Sequence, residues 1–169
     1  MSLSFDRSVT GVVICAPRAS GKSRLADRLG WLDADVFLNG CALPSGPEVD
    51  PPHYQAAGRL IRDLNYLNRP VAVTDLSPRV FPLGLFAGLR TVASMPSLRD
   101  HELFASLRRS VRPIGDVRVI RAEFEDAVAA VGMTMVPWSV LINLKPTPNG
   151  VSLHALLHVL NALPPVAPT

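Results

Sequence analysis

Three consecutive residues, Gly21-Lys22-Ser23, are the first place in the chain where residue type and order suggest chemistry. They close a short loop, Ala16-Pro17-Arg18-Ala19-Ser20, that follows the apolar run Val12-Val13-Ile14-Cys15. The spacing is that of the phosphate-binding pattern G-x-x-x-x-G-K-[ST], with Ala16 at the first glycine position. The chemistry explains the types. Backbone N–H groups of such a loop curl around phosphate oxygens, the positive end of the next helix adds to them, and Gly21 permits close approach. Lys22 brings a point charge to the β- and γ-phosphates, and the Ser23 hydroxyl can sit on Mg²⁺. Residues Ala16, Pro17, Arg18, Ala19, Ser20, Gly21, Lys22, Ser23 and Arg24 are therefore the candidate nucleotide contacts. The chain has 15 Arg and 2 Lys, so lysine is scarce, and one of the two stands where the loop needs it.

Such a loop needs a strand before it and a helix after it. Val12 to Cys15 supplies the strand, and Leu25, Ala26 and Leu29 recur at helical spacing with Arg24, Asp27 and Arg28 between them and Gly30 as a stop. Trp31 to Leu38 is a second strand in pattern, carrying Asp33 and Asp35. Two residues apart in a strand, both carboxylates share a face. They could orient an acceptor hydroxyl or hold Mg²⁺ through water; the plain alternative is a polar strand end with helix-cap duty. Asn39 to His53, rich in Pro and Gly, is loop. Tyr54 to Leu67 has helical periodicity. Val71-Ala72-Val73-Thr74-Asp75 then reads as a buried parallel strand delivering a carboxylate to the Mg²⁺ of a phosphate-loop site. No Glu follows Asp75, which favours transfer to an acceptor over plain hydrolysis.

Further along, Phe81 to Leu89 is apolar core material and Arg90 to Met95 a fourth strand. Pro96 to Pro113 carries a helix with Leu98, Leu103 and Leu107 on its apolar side, ending in Arg108, Arg109 and Arg112. His101 reads as a surface residue. Val117 to Val131 is a helix, Trp138 to Leu144 the fifth strand, and Leu153 to Leu163 a closing helix capped by Ser152. His154 and His158 are i, i+4 on that helix, without a third ligand in the pattern. Ala127 to Leu144 holds 18 residues without a charge, the lower limit for a membrane span, but Gly132 and Pro137 divide it. A helix end, a turn and a buried strand are expected there, and no membrane partner.

The bulk composition agrees with one domain over residues 1–163 and a Pro-rich tail over 164–169. With 169 residues, 48% of them hydrophobic, the chain can bury a core. A net charge of +3 suits an anionic small molecule, and the dispersed arginines are not a nucleic-acid signature. Two cysteines do not make a disulfide framework. Asp6 and Arg7 ahead of a short apolar run do not make a secretory signal, so a cytoplasmic or otherwise intracellular site is expected.

Asp75-Leu76-Ser77-Pro78-Arg79 resembles the D-G-[FYI]-P-R segment of adenylate kinases and related nucleoside monophosphate kinases. The resemblance implies that Asp75 lies near Mg²⁺ with Ser23 and that Arg79 grips an acceptor phosphate, a task for a bidentate guanidinium. It also makes Arg108, Arg109 and Arg112 lid arginines beside a catalytic Lys22 and Asp75, although cations completing a helix C-terminus explain them as well. Asn143 to Gly150, with Lys145 and Pro146, occupies the place where those kinases cover the base. Element order along nearly the whole chain is similar to this group and to shikimate kinase. The implied fold is a P-loop NTPase, a three-layer α/β sandwich with a five-stranded parallel sheet. The implied activity moves the γ-phosphoryl of ATP, with Mg²⁺, to a small nucleoside-monophosphate-like acceptor. The chain departs from the group at Leu76, where the group has Gly, and at Ala16 and Ala19, which replace two glycines of G-x-x-G-x-G-K-[ST]. Two alternatives remain. One is a ring-forming motor ATPase resembling the packaging ATPases of double-stranded RNA phages, virion-associated and acting on RNA, in which Asn143 would sense the γ-phosphate. The other is a P-loop fold retained for assembly without catalysis.

Overall fold

Gly-Val-Val-Ile-Cys is a run that water disfavours on both sides, and the chain places it at the centre of a sheet. In a computed structural model, which describes residues 11–33, 71–74, 89–111, 113–146 and 153–163, this run is strand β1 (Gly11–Cys15), buried along its whole length. It pairs in parallel with β3 (Val71–Thr74) on one side and β4 (Leu89–Met95) on the other. β2 (Leu32–Asp33) lies outside β3 and β5 (Thr134–Pro137) outside β4, giving the order β2-β3-β1-β4-β5 with every pair parallel. The protein is therefore α/β with a parallel sheet, as the strand–helix alternation of the sequence leads one to expect.

Parallel neighbours need crossovers, and described helices follow β1, β4 and β5. After β1 comes α1 (Lys22–Leu29), framed by two left-handed glycines, Gly21 and Gly30. Its C-terminus closes as Gly30 N–H reaches Ala26 and Asp27 and Trp31 N–H returns to the Ala26 carbonyl at 2.8 Å. After β4 come α2 (Leu98–Arg109), capped by the Ser97 hydroxyl, and α3 (Val117–Val131), capped by the Asp116 carboxylate and ended by left-handed Gly132. After β5 come α4 (Trp138–Ile142) and α5 (Leu153–Ala162).

Alternation along the strands sorts the core. Val12 and Ile14 of β1, Val92 of β4 and Val136 of β5 join Leu25, Ala26 and Leu29 of α1, Leu141 of α4 and Leu156 and Leu160 of α5 in one cluster. The intervening Val13, Cys15 and Ala93 are equally buried, so the sheet is covered on both faces.

One expected element is different. Trp138 to Leu144 is not the fifth strand; that strand is Thr134–Pro137, and Trp138–Ile142 is helical. Pro137 has no N–H to continue a ladder and its fixed φ suits the residue before a helix, so the edge strand stops there and the chain turns. The charge-free stretch is thus split among α3, β5 and α4, and no described helix is long and apolar enough to cross a membrane. The expected helix over Tyr54–Leu67 and the candidate residues Asp35, Asp75, Arg79 and Arg112 lie outside the described residues.

Candidate functional site at the end of β1

The loop from Ala16 to Gly21 is built on two left-handed residues, Ala19 at φ 60° and Gly21 at φ 85°. Gly21 has two reasons to be glycine. Its backbone is left-handed, and a Cβ there would come within 2.8 Å of the Phe104 ring of α2. Ala19 is different: it is left-handed and yet carries a methyl, which packs with Ala105 and Val117. A non-glycine residue in this region costs about 1–2 kcal/mol, so its surroundings must hold it there. Lys22 opens α1 and is only 5% exposed. The first N–H groups of α1 have no partners within the helix, and with the helix dipole they favour an anion at this end.

The next residue, Ser23, donates its hydroxyl to the Asp33 carboxylate at 2.6 Å, joining the first turn of α1 to the end of β2. A hydroxyl and a carboxylate oxygen side by side are hard donors of the kind Mg²⁺ accepts. That ion needs only one or two carboxylates when phosphates and water complete its shell. Among the described residues no three His, Cys, Asp or Glu side chains converge on a point. The donor set suits Mg²⁺ held largely by a ligand's phosphates and does not suit a closed cage of protein ligands.

A cavity of about 310 Å³ opens directly over the loop. Its floor is Ala19 to Arg24, and its wall is Phe104, Leu107, Arg108 and Val111 of α2 and the turn after it. Three cations, Lys22, Arg24 and Arg108, and no carboxylate line it among the described residues. Ser20 is also a lining residue; it is wholly buried, and its hydroxyl has no hydrogen-bond partner. A buried hydroxyl left so is costly unless something completes it. The position follows from topology. The connection leaving β1 runs toward β2 on one side and that leaving β4 runs toward β5 on the other, so the two part at the carboxyl ends of adjacent strands. Such a crevice is where open parallel sheets bind ligands.

Behind the loop is a polar tie. His101 of α2 is fully buried, with Nε2 at 2.8 Å from the Arg18 carbonyl oxygen and Nδ1 at 3.2 Å from the Arg121 guanidinium of α3. Arg121 is only a donor, so Nδ1 accepts and the proton is on Nε2, which donates to Arg18. The same guanidinium nitrogen of Arg121 donates to the Pro96 carbonyl at 2.6 Å. Burial pushes the His101 imidazole below its ordinary value and Arg121 adds to this, against the opposing pull of the Arg18 carbonyl and Glu102. His101 is thus a neutral strut between the loop, α2 and α3, and not the surface residue its sequence context suggests.

No protein-family model matches the chain, and no curated protein or solved structure matches it either.

Of the residues expected at the site, the structure brings Ala19, Ser20, Gly21, Lys22, Ser23, Arg24 and Arg108 together around the cavity. Ala16 and Pro17 are buried under it, and Arg18 is exposed on the loop. Asp33 is not in the lining and accepts from the Ser23 hydroxyl. Arg109 turns away and reaches the Gly115 carbonyl at 3.4 Å. Lys145 and Pro146 are not in the lining. Their segment is held by Arg28, which donates to the Ile142 and Leu144 carbonyls. Arg28 is six residues beyond Lys22, about 9 Å along α1. Asn143 ends α4 in that same segment. His154 and His158 are exposed and make no metal cluster among the described residues. The residues that sequence reasoning missed are His101 and the apolar wall Phe104, Leu107 and Val111.

Proposed function

We propose that the β1–α1 loop is a P-loop that binds the phosphates of a nucleoside triphosphate with Mg²⁺, and that the protein transfers the γ-phosphoryl to a small acceptor. On the same proposal the sheet is that of a P-loop NTPase in a three-layer sandwich. The observation that carries it is the convergence of Lys22, Arg24 and Arg108 on one cavity, with the buried, unpartnered Ser20 hydroxyl in the same loop, at the N-terminus of α1 and in the crevice between β1 and β4.

The chain's own residues divide the work. Lys22 and the loop N–H groups neutralise and orient phosphate oxygens, and Arg108 faces them from α2. Ser23 and Asp33 offer oxygens to Mg²⁺, which would supply charge neutralisation at the transferring group. Phe104, Leu107 and Val111 give the cavity an apolar wall against which a base or sugar can lie. Transfer is preferred to hydrolysis because no Glu follows Asp75, and Pro78-Arg79 carries the kinase resemblance. The packaging-motor alternative places Asn143 as a γ-phosphate sensor on the expected fifth strand; Asn143 is the C-cap of helix α4.

Titration with ATP and Mg²⁺, with ADP formation measured against a panel of nucleoside monophosphates, tests the proposal. Binding that Lys22→Ala weakens at least tenfold, with acceptor-dependent ADP formation that the same change abolishes, is the expected result. Turnover indifferent to acceptors would point to an NTPase. Binding without turnover would point to a fold kept for assembly. No Lys22-dependent binding would end the proposal.

A further inference from the structure

We infer that His101 is a positioning residue for the phosphate loop: its Nε2–H holds the Arg18 carbonyl and so fixes the peptide that precedes left-handed Ala19. The inference rests on the loop being the phosphate site proposed above.

The geometry runs through a single peptide unit. The described backbone contains no cis peptide, so the Arg18 C=O and the Ala19 N–H lie in one plane and point in opposite directions. Drawing the carbonyl to His101 at 2.8 Å therefore turns the Ala19 N–H away from α2's buried side. Were that peptide to rotate, Ala19 could relax out of the left-handed region, and the N–H groups of the loop would no longer share one orientation. Two restraints oppose the rotation. One is the His101 hydrogen bond; the other is the Ala19 methyl against Ala105 and Val117. Both come from the α2–α3 side of the molecule, which also contributes Arg108 to the cavity. His101 itself is held by Arg121, whose guanidinium is anchored on the Pro96 carbonyl just beyond β4. The tie therefore joins the ends of the two strands that form the crevice.

The charged and titratable groups facing the ring are Arg121 from α3 and Glu102 beside it on α2, with the Arg18 carbonyl from the loop. A second proton on Nδ1 would meet the Arg121 donor head-on. The loop should therefore hold its shape at neutral pH and loosen in acid.

The experiment compares His101→Gln, whose amide can still donate toward Arg18, with His101→Phe, which fills the space without a donor. Amide hydrogen exchange is followed in the ligand-free protein, and binding of tripolyphosphate and of ATP with Mg²⁺ is measured from pH 5 to 8. Faster exchange at residues 16–21 in His101→Phe, about tenfold weaker tripolyphosphate binding, and near-wild-type behaviour in His101→Gln without the acid-side loss are expected, the tenfold being one net hydrogen bond. Adding Ala19→Gly to His101→Phe should restore several-fold of the lost affinity, because glycine takes the left-handed conformation without help. A purely structural role for His101 would lower stability without that rescue. Unchanged loop exchange in His101→Phe would overturn the inference whether or not the wild type binds phosphate. Altered loop exchange with no wild-type binding of either probe would instead remove the phosphate proposal and leave His101 as a loop strut.

Discussion

The two sides of α1 are held by different forces. On the sheet side, Leu25, Ala26 and Leu29 sink into a continuous apolar cluster with Val12, Ile14, Val92, Val136, Leu141, Leu156 and Leu160. At its N-terminal end the apolar cluster is small, Ala19 with Ala105 and Val117, and the rest is hydrogen bonding: His101 to Arg18, Arg121 to Pro96, Ser23 to Asp33. Burial of hydrocarbon is non-directional and insensitive to pH, so the first region sets whether the chain folds. Hydrogen bonds are directional, and the one from His101 depends on the protonation of its ring, so the second sets the shape of one loop and makes that shape conditional. The contrast predicts that damage on the two sides should be separable.

The largest effect should come from the apolar side. Leu141 is completely buried on α4, and Leu141→Ala should cost about 2–5 kcal/mol in urea unfolding through lost burial and a residual cavity. Where the variant remains folded, its affinity for ATP with Mg²⁺ should be close to that of the wild type. A comparable loss of affinity would show that the two sides are one cooperative unit, and the contrast would fail.

A smaller effect should follow from the polar side. Arg121→Leu leaves His101 Nδ1 and the Pro96 carbonyl without their donor, at a cost of about 1–3 kcal/mol. It also removes a neighbouring positive charge, so the His101 pKa should move upward, which NMR titration of the ring can read. In the wild type the folded-state value is below the ordinary 6.5 of the unfolded chain, so the unfolded state takes up the proton first. The contribution of His101 to stability is then complete above about pH 6.5 and is lost as pH falls from there through the lowered folded value. In Arg121→Leu that window should narrow. A His101 resonance that titrates at the ordinary value in the wild type would contradict the buried neutral strut.

These two regions also differ in how far they can be read from sequence. β1, α1 and α3 follow from short-range patterns: Val-Val-Ile for a buried strand, Leu25, Ala26 and Leu29 with Gly30 for a helix and its stop, and Val117 to Val131 ahead of Gly132. Lys22, Ser23 and Gly21 are legible because their roles depend on neighbours in the chain. The β5–α4 boundary is not, since a charge-free run lacks the contrast that gives period two or 3.6, and only Pro137 marks the turn. His101 is the sharper case. Its partners are a backbone carbonyl 83 residues away, which carries no sequence signal, and an arginine 20 residues on. Lys145 follows the last expected strand in the chain, and Arg28, near the C-terminal end of α1, holds the Leu144 carbonyl just before it.

The smallest expected effect tests the loop most finely. Ala19→Gly would relieve about 1–2 kcal/mol of left-handed strain. It would also give up the burial of a methyl, about 0.8 kcal/mol, and enlarge the freedom of the unfolded chain by about 0.4–1 kcal/mol. These terms nearly cancel, so the net change in unfolding free energy should lie within about 0.5 kcal/mol of zero. The cancellation explains how alanine persists where the phosphate-loop pattern has glycine: the methyl is seated on Ala105 and Val117 and the carbonyl before it is held by His101. Stabilisation by more than about 1 kcal/mol would mean that the methyl contributes little and the strain is uncompensated. A loss of similar size would mean that the apolar seat, rather than the hydrogen bond, is the main restraint on this end of α1. Either result would redraw the contrast between the two sides.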